Sequence, residues 1–310
     1  MTTLVISHPA CLDHEPGEHH PESPHRLRAV MKALDDPEFA GLKRAEAPLA
    51  TEEQLARVHP RELVRALLGI RPEAGELAMI DGDTMMSTGS AEAAARAAGA
   101  VVAAVDAVVT GQASNAFAAV RPPGHHASAT VPSGFCLFNN VVIGARHAQA
   151  AHGLKRLAIV DFDVHHGNGT QAIAETDPDL FFASTHQYPF YPGTGSAREH
   201  GIDNNVVNVP LAANSGSKEF RAAWGDRILP ALDRYAPELI VVSAGFDAHR
   251  RDPLAQLRLE TDDFRWVTEE LLAIAKRHTG GRLVSSMEGG YDLEALADSA
   301  AAHVGALMRA

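Results

Sequence analysis

Cysteine is scarce in this chain: only Cys11 and Cys136 among 310 residues. Two thiols make a poor disulfide framework and suit a reducing compartment, so a cytoplasmic location is expected. Neither has a Cys-x-x-Cys partner, and Cys136 reads as a small buried hydrophobe. Positive charge is also short, with 27 Lys and Arg against 39 Asp and Glu, a formal net charge of -12. That balance excludes a generic nucleic-acid or anionic-membrane surface, which needs clustered cations. It is compatible with cationic partners such as lysine-rich tails. No run of 18 apolar residues exists, and the Ala-rich stretch 91–109 carries Glu92, Arg96 and Asp106. It therefore reads as a packed helix and not a membrane span. The start has no basic region and too short an apolar core for a secretory signal. There is no low-complexity linker and no internal repeat, so one domain over residues 1–310 is the simpler expectation. Homo-oligomerisation is compatible with this composition, although no dimer surface stands out.

What the chain does have is a set of apolar runs that each end in a polar cluster. Leu157 to Val160 leads into Asp-Phe-Asp-Val-His-His-Gly-Asn-Gly at 161–169. Residues 116–120 lead into Arg-Pro-Pro-Gly-His-His at 121–126, residues 239–244 into Gly-Phe-Asp-Ala-His at 245–249, and residues 283–287 into Glu-Gly-Gly-Tyr at 288–291. Further strands are expected at 4–7, 180–184 and 206–209. Helices are expected at 22–34, 52–58, 61–68, 90–109 with Ser90 as N-cap, 139–152, 169–176, 220–235, 261–278 and 293–308. Alternating helices and apolar strands predict an α/β fold, a mainly parallel sheet covered on both faces. Ligands bind such sheets outside the carboxyl ends of the strands, where all four clusters fall.

Alternate side chains of an extended segment point the same way, so Asp163 and His165 can converge on one ion. With Asp247 they make two carboxylates and one imidazole, a three-ligand set with an open position, the catalytic pattern for zinc. Iron(II) or manganese also suits oxygen and nitrogen donors. His125 and His126 are the candidate acid–base pair, with Asp161 and Asn168 available to orient their second nitrogens. A carboxylate raises a histidine's pKa more than an amide does, so one cationic and one neutral imidazole are expected near pH 7. Tyr291, on a glycine-rich loop, can donate its hydroxyl to an oxyanion.

These motifs, with Gly-Phe-Cys-Leu-Phe-Asn-Asn at 134–140, resemble the histone deacetylase family, most closely its class II branch and bacterial amidohydrolase relatives. The resemblance runs in order from His20 to Tyr291. It implies the arginase–deacetylase fold, a catalytic zinc and hydrolysis of N-acetyl groups on amines. By motif it implies Asp163, His165 and Asp247 as zinc ligands, and His126 beside Asn168 as general base. His125, paired with Asp161, takes the electrostatic or proton-donating role, and Tyr291 binds the acyl oxygen. Gly134, Phe135, Tyr191 and Leu254 would line an acyl-lysine tunnel, Tyr191 standing where the family often has Phe. Arg26 would lie near the acetate exit. A structural potassium is implied at Asp161, Ser184 and Thr185, with the backbone carbonyls of Asp163 and His165. Tyr291 is not the histidine of the weakly active class IIa enzymes, and Asn168 matches class II. Leu254 occupies the slot where polyamine-selective members carry glutamate, which favours an acylated lysine peptide over a small acylated amine. An acetylpolyamine or other small-amide amidohydrolase, and an acyl-lysine-binding protein without turnover, are the rival readings. Arginase is disfavoured, because its binuclear manganese site needs more carboxylates than these motifs supply.

Overall fold

Leu157 to Asp161 and Leu239 to Ala244 are wholly buried strands at the middle of an eight-stranded sheet in the computed structural model, which describes residues 2–310. In chain order the strands are β1 (Thr3–Ser7), β2 (Lys43–Glu46), β3 (Ala78–Met79), β4 (Met85–Met86), β5 (Asn115–Ala118), β6 (Leu157–Asp161), β7 (Leu180–Gln187), β8 (Val206–Leu211), β9 (Leu239–Ala244) and β10 (Leu283–Met287). The helices are α1 (Pro24–Ala33), α2 (Glu52–Leu55), α3 (Arg61–Gly69), α4 (Ser90–Val109), α5 (Asn140–His152), α6 (Asn168–Ala174), α7 (Ser217–Ala223), α8 (Leu229–Tyr235), α9 (Thr261–His278) and α10 (Leu293–Arg309). The sheet order is β2-β1-β5-β10-β9-β6-β7-β8, every pairing parallel; β3 and β4 form a small antiparallel hairpin outside it. The four strands that end in polar clusters, β5, β10, β9 and β6, are adjacent. Their carboxyl ends therefore meet at one place, the usual ligand edge of such a sheet.

Helices cover both faces, as an α/β chain of alternating elements requires. Gly144 of α5 packs against Val101 of α4, while Asn115 of β5 reaches the opposite side to donate to the Leu307 carbonyl of α10. The edges are blunted differently. β2 exposes Lys43, Arg44 and Glu46, and β8 carries Pro210, a residue that only an edge or bulge tolerates. β2 has no apolar pattern, so sequence periodicity does not reveal it.

Three local expectations are corrected. Ser90 is not the N-cap of α4: Gly89 holds that place, where an added Cβ would lie 2.5 Å from Asp13 Cβ. The Ser90 hydroxyl instead accepts from the Ser87 amide at 2.7 Å and pairs with His14 Nδ1 at 2.7 Å. The helix expected from residue 22 begins at Pro24, because Ser23 is extended and a proline suits the first turn. The helix expected over 220–235 is α7 and α8 joined by a π-helical stretch, Trp224–Ile228. Pro230 lacks an amide donor, and the wider turn before it absorbs the missing bond.

His303, fully buried on α10, joins three elements. Its Nδ1 lies 2.6 Å from Thr268 Oγ1 on α9 and its Nε2 2.8 Å from Ser285 Oγ on β10. Burial pushes its pKa down to about 3. The unfolded chain therefore binds a proton below about 6.5 that the native state refuses. His303 thus destabilises the fold as pH falls from 6.5 toward 3, by at most about 1.4 kcal/mol per pH unit. Urea melts between pH 7 and pH 5 are expected to show a shallower pH slope for His303→Gln than for the unsubstituted protein. Identical slopes would sink this assignment.

Candidate active site

The loop after β6 alternates. Phe162 and Val164 turn into the core, Phe162 against Phe246 and Phe264, while Asp163 and His165 turn to the site. His165 Nδ1 lies 3.1 Å from Asp163 Oδ1 and 3.1 Å from Asp247 Oδ2. Each carboxylate is also held by the backbone. Asp163 Oδ2 accepts from the Gly289 amide at 2.8 Å, and Asp247 Oδ1 from the Val164 amide at 2.8 Å. The loops after β6, β9 and β10 are thereby tied together, and one oxygen of each acid is left facing the imidazole. No side chain fits at 289, where a Cβ would lie 2.0 Å from Asp247 Oδ2. Two buried carboxylate oxygens and one imidazole nitrogen converging with no Lys or Arg partner among the described residues fit a divalent metal. The backbone donors supply the outer support such ligands need.

The histidine pair follows β5. His125 Nδ1 lies 2.9 Å from Asp161 Oδ2, and its Nε2 3.9 Å from Asp163 Oδ1. Burial disfavours its charge, but Asp163 and Asp161 outweigh that and push its pKa up to about 10. His126 Nδ1 lies 2.7 Å from Asn168 Oδ1, which leaves Nε2 as the free acceptor. Burial, then the His125 and His165 cations, hold its pKa well below the ordinary value. The two neighbours are therefore one cationic and one neutral imidazole at neutral pH. Gly134 has φ +56°, and a Cβ there would meet His126 Cδ2 at 2.5 Å, so only glycine lets this loop approach the ring.

Tyr291 is half-buried. The Arg26 guanidinium lies 4.8 Å from its ring centroid. Arg26 is fully buried; its Nε donates to the Gly290 carbonyl at 2.6 Å and its Nη2 to the Glu288 carbonyl. Glu22 pairs with both Arg26 and Arg121. Arg26 thus sits beneath the tyrosine loop. Burial raises the Tyr291 pKa well above its ordinary value, so the phenol keeps its proton.

His125, His126, His165 and Tyr291 line a cavity of about 90 Å³. Phe135, Tyr191 and Leu254 form its apolar walls, with His126, Tyr291 and Asp83 also on its lining. Tyr191 stands edge-on to His126, centroids 5.1 Å apart. Of the residues proposed for potassium, Asp161 and Ser184 pair across β6 and β7. The Ser184 hydroxyl lies 2.9 Å from His186 Nδ1, and the Thr185 side chain accepts from Trp224 Nε1. Cys11 and Cys136 are both buried and unpaired.

Sequence reasoning missed several residues. Glu288 Oε2 accepts from the Gly124 and His125 amides at 2.7 and 3.2 Å, and so orients the histidine loop. Burial pushes its carboxyl up to about 7, against the pull of the His125 cation. The available signal was an acid closing a wholly buried strand. Phe190 stacks on His165, centroids 5.5 Å apart. Asp83 reaches the cavity from the β3–β4 turn, which carries no periodic pattern to announce it.

The histone deacetylase domain matches residues 20–307. The chain belongs to the histone deacetylase family. It is 41% identical over 324 residues to histone deacetylase 14, chloroplastic, of Arabidopsis thaliana, covering 98% of this chain and 76% of that protein. It is 42% identical over 277 residues to the histone deacetylase-like amidohydrolase of Pseudomonas aeruginosa, covering 88% of this chain and 72% of that one. The crystal structure of the HDA15 HD domain superposes with a TM-score of 0.94 at 36% identity, over 99% of this chain and 88% of that one. The fold is accordingly that of a histone deacetylase, and the family is one of deacetylases and amidohydrolases. Among the described residues no helix is long and apolar enough to cross a membrane.

Proposed function

We propose that this histone deacetylase relative is a zinc-dependent amidohydrolase that removes the acetyl group from acetyl-lysine or a similar acylated amine, as one catalytic domain over residues 1–310. The observation that carries this reading is the convergence of Asp163, His165 and Asp247, with His165, the histidine pair and Tyr291 all lining one small cavity. Asp163, His165 and Asp247 would hold the zinc. Bound there, zinc would supply a Lewis acid for the amide carbonyl and lower the pKa of a water molecule toward about 7. Phe135 and Tyr191 flank the acyl-lysine stem and exclude water. His126 Nε2, neutral and unpaired, takes the proton of the attacking water. Tyr291 donates its hydroxyl to the carbonyl oxygen as negative charge develops on it. His125, charged and fixed by Asp161, stabilises the same charge, and the leaving amine nitrogen is protonated from this histidine pair. Arg26 holds the tyrosine loop from below. We also assign a potassium ion to Asp161, Ser184 and Thr185, with the carbonyls of Asp163 and His165, as a structural brace.

Acetate release from an acetyl-lysine peptide, measured with zinc-loaded and metal-stripped protein in parallel, tests the reading. Metal-dependent release is expected. Stoichiometric zinc with hydrolysis of N-acetylputrescine but not of the peptide would instead favour a small-amide hydrolase. Peptide binding with no acetate from either substrate would make the protein an acyl-lysine binder. Leu254 supports the peptide, because its apolar side chain offers no partner to an internal ammonium on that wall; the acid on the lining, Asp83, comes from the β3–β4 turn. Leu254→Glu is therefore expected to raise kcat/KM for N8-acetylspermidine relative to the peptide on the order of tenfold, about 1.4 kcal/mol. An unchanged ratio would remove Leu254 as a selectivity determinant.

A further inference from the structure

Asp252 follows Asp247 by one turn of loop and is almost wholly buried at 7% exposure. Among the described residues no Lys or Arg pairs with it, since neighbouring Arg251 turns outward to Asp292 and Glu294. A buried carboxylate without a cation is costly unless its oxygens are satisfied by hydrogen bonds. Both are. Oδ1 accepts from the Leu254 amide at 2.9 Å, and Oδ2 from the Tyr291 amide at 2.8 Å. The Asp252 amide in turn donates to the His249 carbonyl at 2.9 Å, which fixes the acid within its own loop.

These two amides belong to different walls of the cavity. Leu254 comes from the segment after β9, and Tyr291 from the segment after β10. The tyrosine follows Gly289 and Gly290, and Gly290 has φ +125°, so the backbone leading to it is intrinsically free to turn. Arg26 restrains that backbone at the carbonyls of 288 and 290. Nothing in the Arg26 contacts restrains the amide of 291 itself, and Asp252 does. We infer that Asp252 is a positioning residue, a single carboxylate that sets the hydroxyl-bearing Tyr291 and the apolar wall at Leu254 in register with each other. The inference rests on the deacetylase reading above. Asparagine cannot replace it: one amide oxygen serves one N–H, and the amide nitrogen would face the other donor to donor.

A double-mutant cycle separates positioning from general structural support. kcat and KM are measured on the acetyl-lysine peptide for the unsubstituted protein, Asp252→Asn, Tyr291→Phe and the double variant, with zinc content and melting temperature for each. Asp252→Asn is expected to retain zinc and lower kcat roughly 10- to 100-fold, with KM changed less than about threefold, because misplacing a catalytic group acts on the transition state. In the Tyr291→Phe background the same change is expected to cost less than about threefold, since there is no hydroxyl left to misplace. Where Asp252→Asn does not fold, Asp252→Glu enters the same cycle, its extra methylene displacing both acceptors. Losses that multiply independently, or a loss of zinc that accounts for the lost turnover, would overturn the positioning role and leave the deacetylase reading standing. Absence of acetate release from zinc-loaded unsubstituted protein would overturn the deacetylase reading and the positioning role with it.

Discussion

Asp247→Asn is expected to abolish zinc retention and to lower acetate release by at least about 10³, with the fold preserved. The substitution is nearly isosteric. Asp247 Oδ1 accepts from the Val164 amide, and an asparagine oxygen in the same place keeps that bond. Oδ2, 3.1 Å from His165 Nδ1, becomes an amide nitrogen with no lone pair for a metal. One ligand and one negative charge are lost together, and Asp163 and His165 remain as an incomplete pair. Removing a charge from a site where two carboxylates are buried side by side also relieves their repulsion, so the metal-free variant is expected to melt no lower than metal-free parent protein. Zinc content after desalting and the rate of acetate release are the measurements. One equivalent of zinc retained with normal turnover would show that the metal sits elsewhere and would sink the assignment of this cluster.

The candidate site was readable where chemistry follows local pattern. Asp163 and His165 alternate with the apolar Phe162 and Val164, so the two-residue spacing points to a shared site, and it holds although the backbone bends over residues 163–165. His125 with Asp161, and His126 with Asn168, join as expected because residue type limits what can satisfy an imidazole in a buried place. Two acids that escaped notice, Glu288 and Asp252, act through backbone groups of distant segments. Glu288 binds amides 164 and 163 positions away, and Asp252 binds one 39 positions away. No periodicity or motif encodes such a partner, because any amide would serve and only the fold decides which one arrives. The Leu254 amide, two residues from Asp252, is the local half of a contact whose other half is long-range. Secondary structure divided the same way. Wholly apolar β6 and β9 were legible, whereas β2, charged and exposed at the edge, forms only because β1 offers it a ladder.

The electrostatic frame behind the site also depends on the fold. Glu22, Arg26 and Arg121 are all fully buried, and one carboxylate serves two guanidiniums. The remaining donors of Arg26 go to the carbonyls of Glu288 and Gly290, and one of Arg121 goes to the Cys11 carbonyl. The cation therefore reaches the tyrosine loop without pairing with the acids of the metal cluster. Burial opposes ionisation of both acids; beside His125 and His165 the Asp163 carboxyl is nonetheless held well below its ordinary value, whereas burial and the neighbouring Asp163 push Asp247 up. Tyr291 rests against a positive group that does not take its proton.

Tyr291→Phe tests that last point most directly, and a loss of about 10² to 10³ in turnover is expected. The hydroxyl is the only group removed. The ring keeps its place over Arg26 and its edge contact with Phe135, centroids 6.1 Å apart, so the cavity wall survives. Burial raises the phenol's pKa well above its ordinary value, which keeps the proton on the oxygen at every pH where the protein would be assayed. The group is thus a donor, and a donor aimed at a carbonyl oxygen bonds more strongly as that oxygen gains charge. Such an interaction acts on kcat and leaves KM little changed, because the neutral amide gains less from it than the transition state does. Zinc content is expected to remain at the parent level, which separates this loss from that of Asp247→Asn. Turnover equal to the parent would mean that the oxyanion is held without Tyr291, and the role of the tyrosine loop, with the restraints that Arg26 and Asp252 place on it, would have to be reassigned to packing.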